Sequence, residues 1–284
     1  MKKVLGIVIS ERKSGNSELL VKEIMSQITE PCDLEMIRLT ELRIEPCKAC
    51  YRCLQPGVEC RTEDDFNFLI NKIKDADALI IGMPVYILGP PAYYKLITDR
   101  LLGAANYATY TRGKPCVIVN PYGLPRWEGY SRMASLILPR LLEMKIIDCW
   151  QVQAPLPGES LLNPKNMAYA NSLGQNLLAA GMEYTKGIRE CSHCGSDLFR
   201  LLPNGKIECP ACSARGTLKP DNIPDMAETD YCRFWPKQLE EHFQVWLGET
   251  KQRFLREKDK LKEVQKAYKE KDWWIKPERA PKKD

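Results

Sequence analysis

Val4-Leu5-Gly6-Ile7-Val8-Ile9-Ser10-Glu11-Arg12-Lys13-Ser14-Gly15-Asn16-Ser17 is the stretch that decides the fold. Its first six residues are apolar without alternation, as a strand buried on both faces of a parallel sheet requires. A hydroxyl-rich turn follows, and then Leu19, Leu20, Ile24 and Ile28 mark the apolar side of a helix. A strand, a polar turn and a helix N-terminus together make an anion seat, because backbone N–H groups and the helix dipole face the same point. The alternative is that Asn16 or Ser17 only caps the helix. The turn matches neither G-x-G-x-x-G nor G-x-x-x-x-G-K-[ST], so it indicates neither a dinucleotide fingerprint nor an NTPase loop.

Outward from this stretch the same alternation repeats. Strands are expected over 34–39, 76–82, 116–119 and 145–154. Helices are expected through Phe68, Leu69 and Ile73, through Tyr94, Leu96, Ile97, Leu101 and Leu102, over 133–142 with a kink at Pro139, and over 167–184. Asp64-Asp65 reads as the acidic start of the first of these. The pattern is that of a five-stranded parallel sheet wound on both sides, an α/β fold. Ligands in such sheets lie beyond the carboxyl ends of the strands. Three loops fall there: 10–17, 83–89 and 120–123. The first suits a phosphate, the second brings Tyr86 among apolar residues and suits a flat ring, and the third offers backbone polar groups. A phosphate grip beside a ring slot describes a pocket for flavin mononucleotide (FMN).

Between the second strand and the following helix lies Cys47-Lys48-Ala49-Cys50-Tyr51-Arg52-Cys53, followed after six intervening residues by Cys60. Three cysteines at x₂ spacing plus a fourth closing the loop resemble the ligation of a [4Fe–4S] cluster. Zinc, or thiols that bind nothing, are the alternatives. A second group, Cys191-Ser192-His193-Cys194 and Cys209-Pro210-Ala211-Cys212, flanks fourteen residues with Asn204-Gly205 midway. The Asn-Gly turn folds these into a hairpin and brings two knuckles together on one ion, zinc or, as in rubredoxin, iron. Four thiolates leave no open position, which makes this a structural site, with His193 a bystander.

Chain composition limits the other readings. Of twelve cysteines, eight fall in these two groups, a pattern of metal sites in a reducing cytoplasm rather than of disulfides. The net charge is +5, and residues from Phe234 onward hold 14 Lys/Arg against 10 Asp/Glu, so the body is nearly neutral and offers no nucleic-acid face. No apolar run approaches the roughly 20 residues of a membrane span. In the tail Leu247, Phe254, Leu261 and Tyr268 recur every seven residues beside Phe243 and Val264, a long amphipathic helix expected to pack on its own body or against a second subunit, ending at Trp273-Trp274. The expected division is 1–187 for the sheet domain with its cysteine loop at 46–61, 188–218 for a zinc ribbon, and 219–284 for a linker and helical tail.

Ser10-x-Arg12-x-x-Gly15-Asn16-Ser17, the segment Pro84-Val85-Tyr86 through Gly89, and the cysteine loop running into Asp64-Asp65 resemble the flavodoxin-like NADPH-dependent FMN reductases, and among them the iron–sulfur flavoproteins. The resemblance covers residues 1 to about 185. It implies that Ser10, Arg12, Asn16 and Ser17, in a turn that includes Ser14 and Gly15, hold the FMN phosphate. It implies further that Pro84, Val85, Tyr86, Leu88 and Gly89 line the isoalloxazine, with Asn120 and Gly123 along its other edge. Cys47, Cys50, Cys53 and Cys60 would hold a [4Fe–4S] cluster near the flavin, and Cys191, Cys194, Cys209 and Cys212 would hold zinc. The expected activity is that of a flavin oxidoreductase, with NAD(P)H as a candidate donor and a redox partner or small molecule as acceptor. The resemblance also implies a homo-oligomer. Neither histidine, His193 nor His242, falls in a flavin loop, and no general acid or base is assigned. An FMN or quinone reductase without a cluster, and a zinc-ribbon adaptor for proteins, are the competing readings.

Overall fold

A computed structural model describes residues 1–179, 187–269 and 273. The chain opens with β1 (Lys2–Val8), α1 (Asn16–Ser26) and β2 (Cys32–Arg38). It continues through α2 (Phe66–Asp75), β3 (Ala78–Gly82), α3 (Ala92–Asp99), α4 (Ala104–Thr111) and β4 (Pro115–Tyr122). Then come α5 (Ser131–Ser135), α6 (Ile137–Leu141), β5 (Lys145–Gln153), α7 (Glu159–Leu162) and α8 (Pro164–Asn176). The five strands form one sheet in the order β2-β1-β3-β4-β5, parallel throughout. This is the flavodoxin-like order, whose switch point lies between β1 and β3.

Side chains of the central strands alternate between two cores, which is why their sequences are apolar without a break. Val4, Val8, Ile80, Val117 and Val119 pack with Leu20, Val21, Ile24, Ala170 and Leu173 of α1 and α8. Leu5, Ile7, Leu79, Ile81 and Ile118 pack with Phe66, Leu69, Ile97 and Tyr107 of the opposite helical layer. The start of α1 comes close to β3, because a Cβ at Gly82 would stand 2.5 Å from the Ser17 carbonyl oxygen. No larger residue fits there without moving the turn that opens α1.

Pro139 acts one turn earlier than expected. The helix breaks at Leu136, and Pro139 lies inside α6. A proline cannot donate to the carbonyl four residues before it, here that of Ser135. The Tyr94 hydroxyl takes its place, donating to the Ser135 oxygen at 2.5 Å and accepting from the Leu138 N–H at 3.1 Å.

A second, antiparallel sheet follows, made of β6 (Arg200–Leu201), β7 (Lys206–Glu208), β8 (Arg215–Leu218) and β9 (Pro224–Asp225) in sequential order. Its last strand lies in the stretch read as linker. The tail is helical from α9 (Pro236–Glu240) through a π-helical turn at Glu241–Trp246 into α10 (Leu247–Arg256), and again over α11 (Lys258–Lys269). Leu239, Phe243 and Leu247 join the core of the body, whereas Phe254, Leu255, Val264 and Tyr268 are exposed. Packing on the body therefore covers only the first turns of the heptad stripe. Tyr184, Trp274 and the basic end lie outside the described residues.

Candidate functional site

At the carboxyl ends of β1, β3, β4 and β5 the loops enclose a cavity of about 200 Å³. The turn before α1 contributes Ser10, Arg12, Gly15, Asn16 and Ser17, and the segment after β3 contributes Pro84, Val85 and Tyr86. The end of β4 adds Pro121, Tyr122 and Gly123, and Ala154 and Pro155 close the far side. Pro121 and Tyr122 lie in the expected loop 120–123, whereas Ala154 and Pro155 were not singled out in the sequence, although the rule of strand carboxyl ends applies to β5 as it does to the others. Among the remaining candidates, Ser14 is exposed with a left-handed φ of 53°, and its N–H donates to Glu18 Oε2 at 2.7 Å. Asn120 is fully buried behind the groove, its amide donating to the Met83 carbonyl oxygen at 3.4 Å.

Leu88 and Gly89 belong to a tight turn beside the groove. Tyr86 and Gly89 exchange backbone hydrogen bonds of 2.8 and 3.2 Å, with Ile87 and Leu88 between them at φ of 45° and 69°. Two left-handed residues in a two-residue turn normally call for Asn-Gly, and a β-branched residue there is strained. The neighbouring loop clamps the turn: the Tyr130 N–H donates to the Leu88 carbonyl at 2.8 Å, and a Cβ at Gly129 would lie 2.3 Å from that oxygen. The turn leaves Tyr86 and Ile87 exposed, and with Leu124, Trp127 and Tyr130 these loops present exposed apolar side chains.

The Asn16 side chain works inside the protein. Its Nδ2 donates to the carbonyl oxygens of Ala154 (2.7 Å) and Leu156 (2.9 Å), and its Oδ1 accepts from the Ser160 N–H (3.3 Å) and hydroxyl (3.1 Å). That uses both donors and both lone pairs of the amide, so only its backbone faces the cavity as a donor.

Behind the same turn, Glu18 joins Lys22 at 2.6 Å and Arg38 at 2.5 Å, while Arg38 also donates to the Ser10 carbonyl oxygen at 2.8 Å. The bond from Lys22, with those from Arg38 and the Ser14 N–H, pulls the Glu18 carboxyl down to about 2 against the cost of burial. A depressed carboxyl stabilises the fold above its unfolded value of about 4.5, and that stabilisation is lost as pH falls towards 2. Allowing for the solvent around Lys22, the contribution is about 2 kcal/mol. Urea unfolding between pH 3 and 6 is expected to show a steeper loss of stability in the wild type than in Glu18→Gln. Equal slopes would remove Glu18 as the cause.

The cysteine loop lies between β2 and α2, gripped from several sides. Asn106 Nδ2 donates to the carbonyl oxygens of Cys53 and Gln55, both at 3.0 Å, and Asn67 donates to that of Cys60 at 2.7 Å. Asp64 and Asp65 do more than open a helix. Asp65 accepts from the Arg43 N–H and Asp64 from the Glu45 N–H, each at 2.7 Å, which pins the loop's entry to its exit. Asp64 also forms a fully buried ion pair with Arg100, a residue that no motif or spacing marks in the sequence. Cys50 is exposed, Cys53 buried and Cys47 and Cys60 half-buried, and these thiols are not drawn together as the ribbon's are. Burial pushes the Cys53 thiol up to about 11. Cys60 is held below the usual range although burial opposes it, by the Thr62 N–H and the Arg100 guanidinium.

In the ribbon, Cys191, Cys194, Cys209 and Cys212 are buried with all four sulfurs within 4.8 Å of one another. The Cys191–Cys212 and Cys194–Cys209 separations are 3.6 and 3.5 Å. Tetrahedral bonds of ~2.3 Å place sulfurs about 3.8 Å apart, so the donor set fits one tetrathiolate ion. Four thiolates this close and buried cannot all be charged without a cation among them. Arg140 donates to the Cys194 carbonyl oxygen and Arg132 to that of Gly195, fastening the ribbon to the sheet domain. His193 Nε2 donates to the Met226 carbonyl oxygen, 3.0 Å away.

Taken together, sheet order, groove and loops define a flavodoxin-like α/β protein with two cysteine groups added to it. Residues 2–148, just over half of the chain, match the family model described as NADPH-dependent FMN reductase, and the chain belongs to that family. An iron–sulfur flavoprotein of Methanocaldococcus jannaschii is 39% identical over 99 residues, 34% of this chain and 51% of that protein. The chain thus spans about half the length of that relative. A flavone synthase of Aspergillus candidus is 27% identical over 223 residues, 66% of this chain and 68% of its own. Among solved structures, a flavone reductase aligns over 97% of this chain and all of its own, with a TM-score of 0.71 at 22% identity, a likeness of fold. No described helix is long and apolar enough to cross a membrane.

Proposed function

We propose that this protein is an FMN-dependent oxidoreductase that passes electrons between its flavin and a [4Fe–4S] cluster on Cys47, Cys50, Cys53 and Cys60, with zinc in the ribbon as a structural ion. The observation that carries the reading is the groove at the strand carboxyl ends, where the polar turn of α1 meets the loops after β3, β4 and β5. Its enclosed part suits the phosphate, held by Ser10, Arg12, Ser14, Gly15 and Ser17, with Asn16 giving its backbone N–H. Pro84, Val85, Tyr86, Leu88 and Gly89 then carry the ring, Gly123 borders its other edge, and Asn120 supports β4 from behind. When bound, FMN supplies the exchange between two-electron and one-electron chemistry, and the protein fixes its position and surroundings. The family's description makes NADPH the natural donor to test. The acceptor is a redox partner or a small molecule.

For the cysteine loop, the support is its donor set, the names of its iron–sulfur flavoprotein relatives, and the space beside it. A cavity of about 250 Å³ lies against Cys53, between Leu54, Leu102 and the tail residue Phe243. Two buried polar atoms nearby, Arg100 Nε and Tyr107 Oη, have no partner in the protein, and cluster sulfurs are acceptors for such groups.

Protein purified without oxygen is expected to hold FMN, one zinc and roughly four irons per chain. Cys50→Ser should lose the iron, keep the flavin and stop reducing one-electron acceptors. Iron-free wild-type protein would overturn the cluster assignment. A second reading rests on the exposed apolar loops around Tyr86 and Trp127 together with the flavone synthase relative: direct reduction or oxidation of a planar aromatic enone at the flavin. Turnover of such an enone by iron-free protein would favour it.

A further inference from the structure

The inner side of the cysteine loop carries hydrogen-bonding capacity that the protein leaves unused. The Arg100 side chain is 1% exposed. Its Nη1 donates to Asp64 and, at 3.2 Å, to the Glu45 carbonyl oxygen. Nη2 donates to Cys60 Sγ at 3.1 Å, and the guanidinium lies 4.1 Å from the centre of the Phe66 ring. Nε has no partner.

Tyr107 stands beside the loop's other inner cysteine. Its hydroxyl is buried and unpartnered. A Cβ added to Gly103 would touch both, 3.1 Å from Cys53 Cβ and 3.4 Å from Tyr107 Oη. Each buried donor without an acceptor costs about 1–3 kcal/mol. Two at one place, next to Cys53 and Cys60, are a preformed half-site for an acceptor the protein does not itself supply. Asp64 neutralises the guanidinium, so what Arg100 offers a thiolate-bound group on Cys60 is its N–H donors, in a place that salt does not screen.

We propose that Arg100 and Tyr107 are the protein's hydrogen-bond donors to a cluster seated on Cys53 and Cys60, and that Arg100 raises its reduction potential. The inference rests on the cluster reading above. The reduced cluster carries one more negative charge than the oxidised one, so N–H and O–H donors aimed at the sulfurs favour reduction. One electron enters from an external reductant, and no bond or proton need move. Arg100 and Tyr107 act here as positioning and tuning residues.

Anaerobic dithionite titration followed by absorbance, with iron counted per chain, tests this on the intact protein. Removing Arg100 alone would strand the Asp64 charge, so the double variant R100Q/D64N is used beside Y107F. At the wild-type midpoint, R100Q/D64N is expected to show a reduced-to-oxidised ratio about tenfold lower, ~59 mV for one electron. Y107F should shift the ratio the same way, by about threefold, or lose iron while remaining folded, because one hydrogen bond to sulfur is gone. Should the double variant not fold, Y107F, lacking a single oxygen, decides. Wild-type protein without loop iron would overturn both this inference and the cluster reading. A wild-type cluster whose midpoint and iron content are unchanged in both variants would overturn the inference alone.

Discussion

Exchange of Cys194 for serine is expected to unfold the ribbon and leave the five-stranded sheet folded. The ribbon's interior explains the asymmetry. Its buried apolar cluster consists of Cys191, Cys194, Ile207, Cys209, Ala211, Cys212, Ala214, Met226 and Cys232. Five of these nine are cysteines and two are alanines, so Ile207 and Met226 are the only large aliphatic side chains fully inside. So small a core cannot offset the chain entropy of residues 188–235, and the proposed ion would do so, as in metal-dependent small domains where binding is worth about 10–16 kcal/mol. Arg233 adds to this dependence: it donates to the Ala211 carbonyl oxygen at 2.9 Å and the Ser213 hydroxyl at 2.6 Å, contacts that exist only while the second knuckle is formed. The sheet domain has its own two cores, and it meets the ribbon through Arg132, Arg140, the Arg132–Glu190 ion pair at 2.7 Å and the packing of Met133. Limited proteolysis should therefore cut Cys194→Ser between residues 188 and 235 and spare the sheet domain. Bound metal, zinc on the reading proposed above, should fall by one ion per chain. Equal protease resistance in the variant and the wild type would show that the ribbon folds without its ion.

The elements legible in the sequence were those whose signal is local. β1, β3 and β4 are buried on both faces and so read as unbroken apolar runs, and each CxxC pair sets its own knuckle through φ-positive residues, Gly195 at 83° and Ser213 at 61°. What the sequence did not reveal is nonlocal. Arg100 pairs with Asp64 from 36 residues away, and Asn16 bonds to carbonyls 138 and 140 residues away. Neither pairing leaves a spacing to recognise. Asn16 looked like a phosphate ligand because turn asparagines before helices often bind anions or cap, and its amide instead ties two loops together. Likewise the heptad of the tail reports that one helix face is apolar, but not what covers it. Phe243 and Leu247 are covered by the body, whereas Phe254, at 49% exposed, and Tyr268, at 64%, are not. The shift of the helix break from Pro139 to Leu136 is local in cause but needed Tyr94, from another helix, to take up the unpaired carbonyl.

Asn16→Ala is expected to cost about 3 kcal/mol and to loosen flavin binding. The substitution removes four hydrogen bonds and leaves the carbonyl oxygens of Ala154 and Leu156 and the Ser160 hydroxyl to find other partners. Buried groups stranded in this way cost about 1–3 kcal/mol each, though water entering from the groove offsets part of it. The larger consequence lies in geometry. Asn16 joins the first residue of α1 to the segment after β5, and these two segments are opposite walls of the cavity. Without that tie the backbone N–H groups proposed for the phosphate are no longer held at a fixed distance from Ala154 and Pro155, and ordering them again is charged to binding. Asn16→Asp separates this account from a direct role of the side chain in binding. An aspartate keeps the two acceptor bonds from Ser160 but sets a carboxylate oxygen against the two carbonyls, so it should be at least as unstable as the alanine variant. Thermal melts with and without FMN, and flavin retained after gel filtration, measure both effects. Alanine and aspartate variants that melt with the wild type but lose flavin would assign Asn16 a direct contact. Destabilisation in both variants of the apoprotein, before any flavin is added, is the result the hydrogen bonds require.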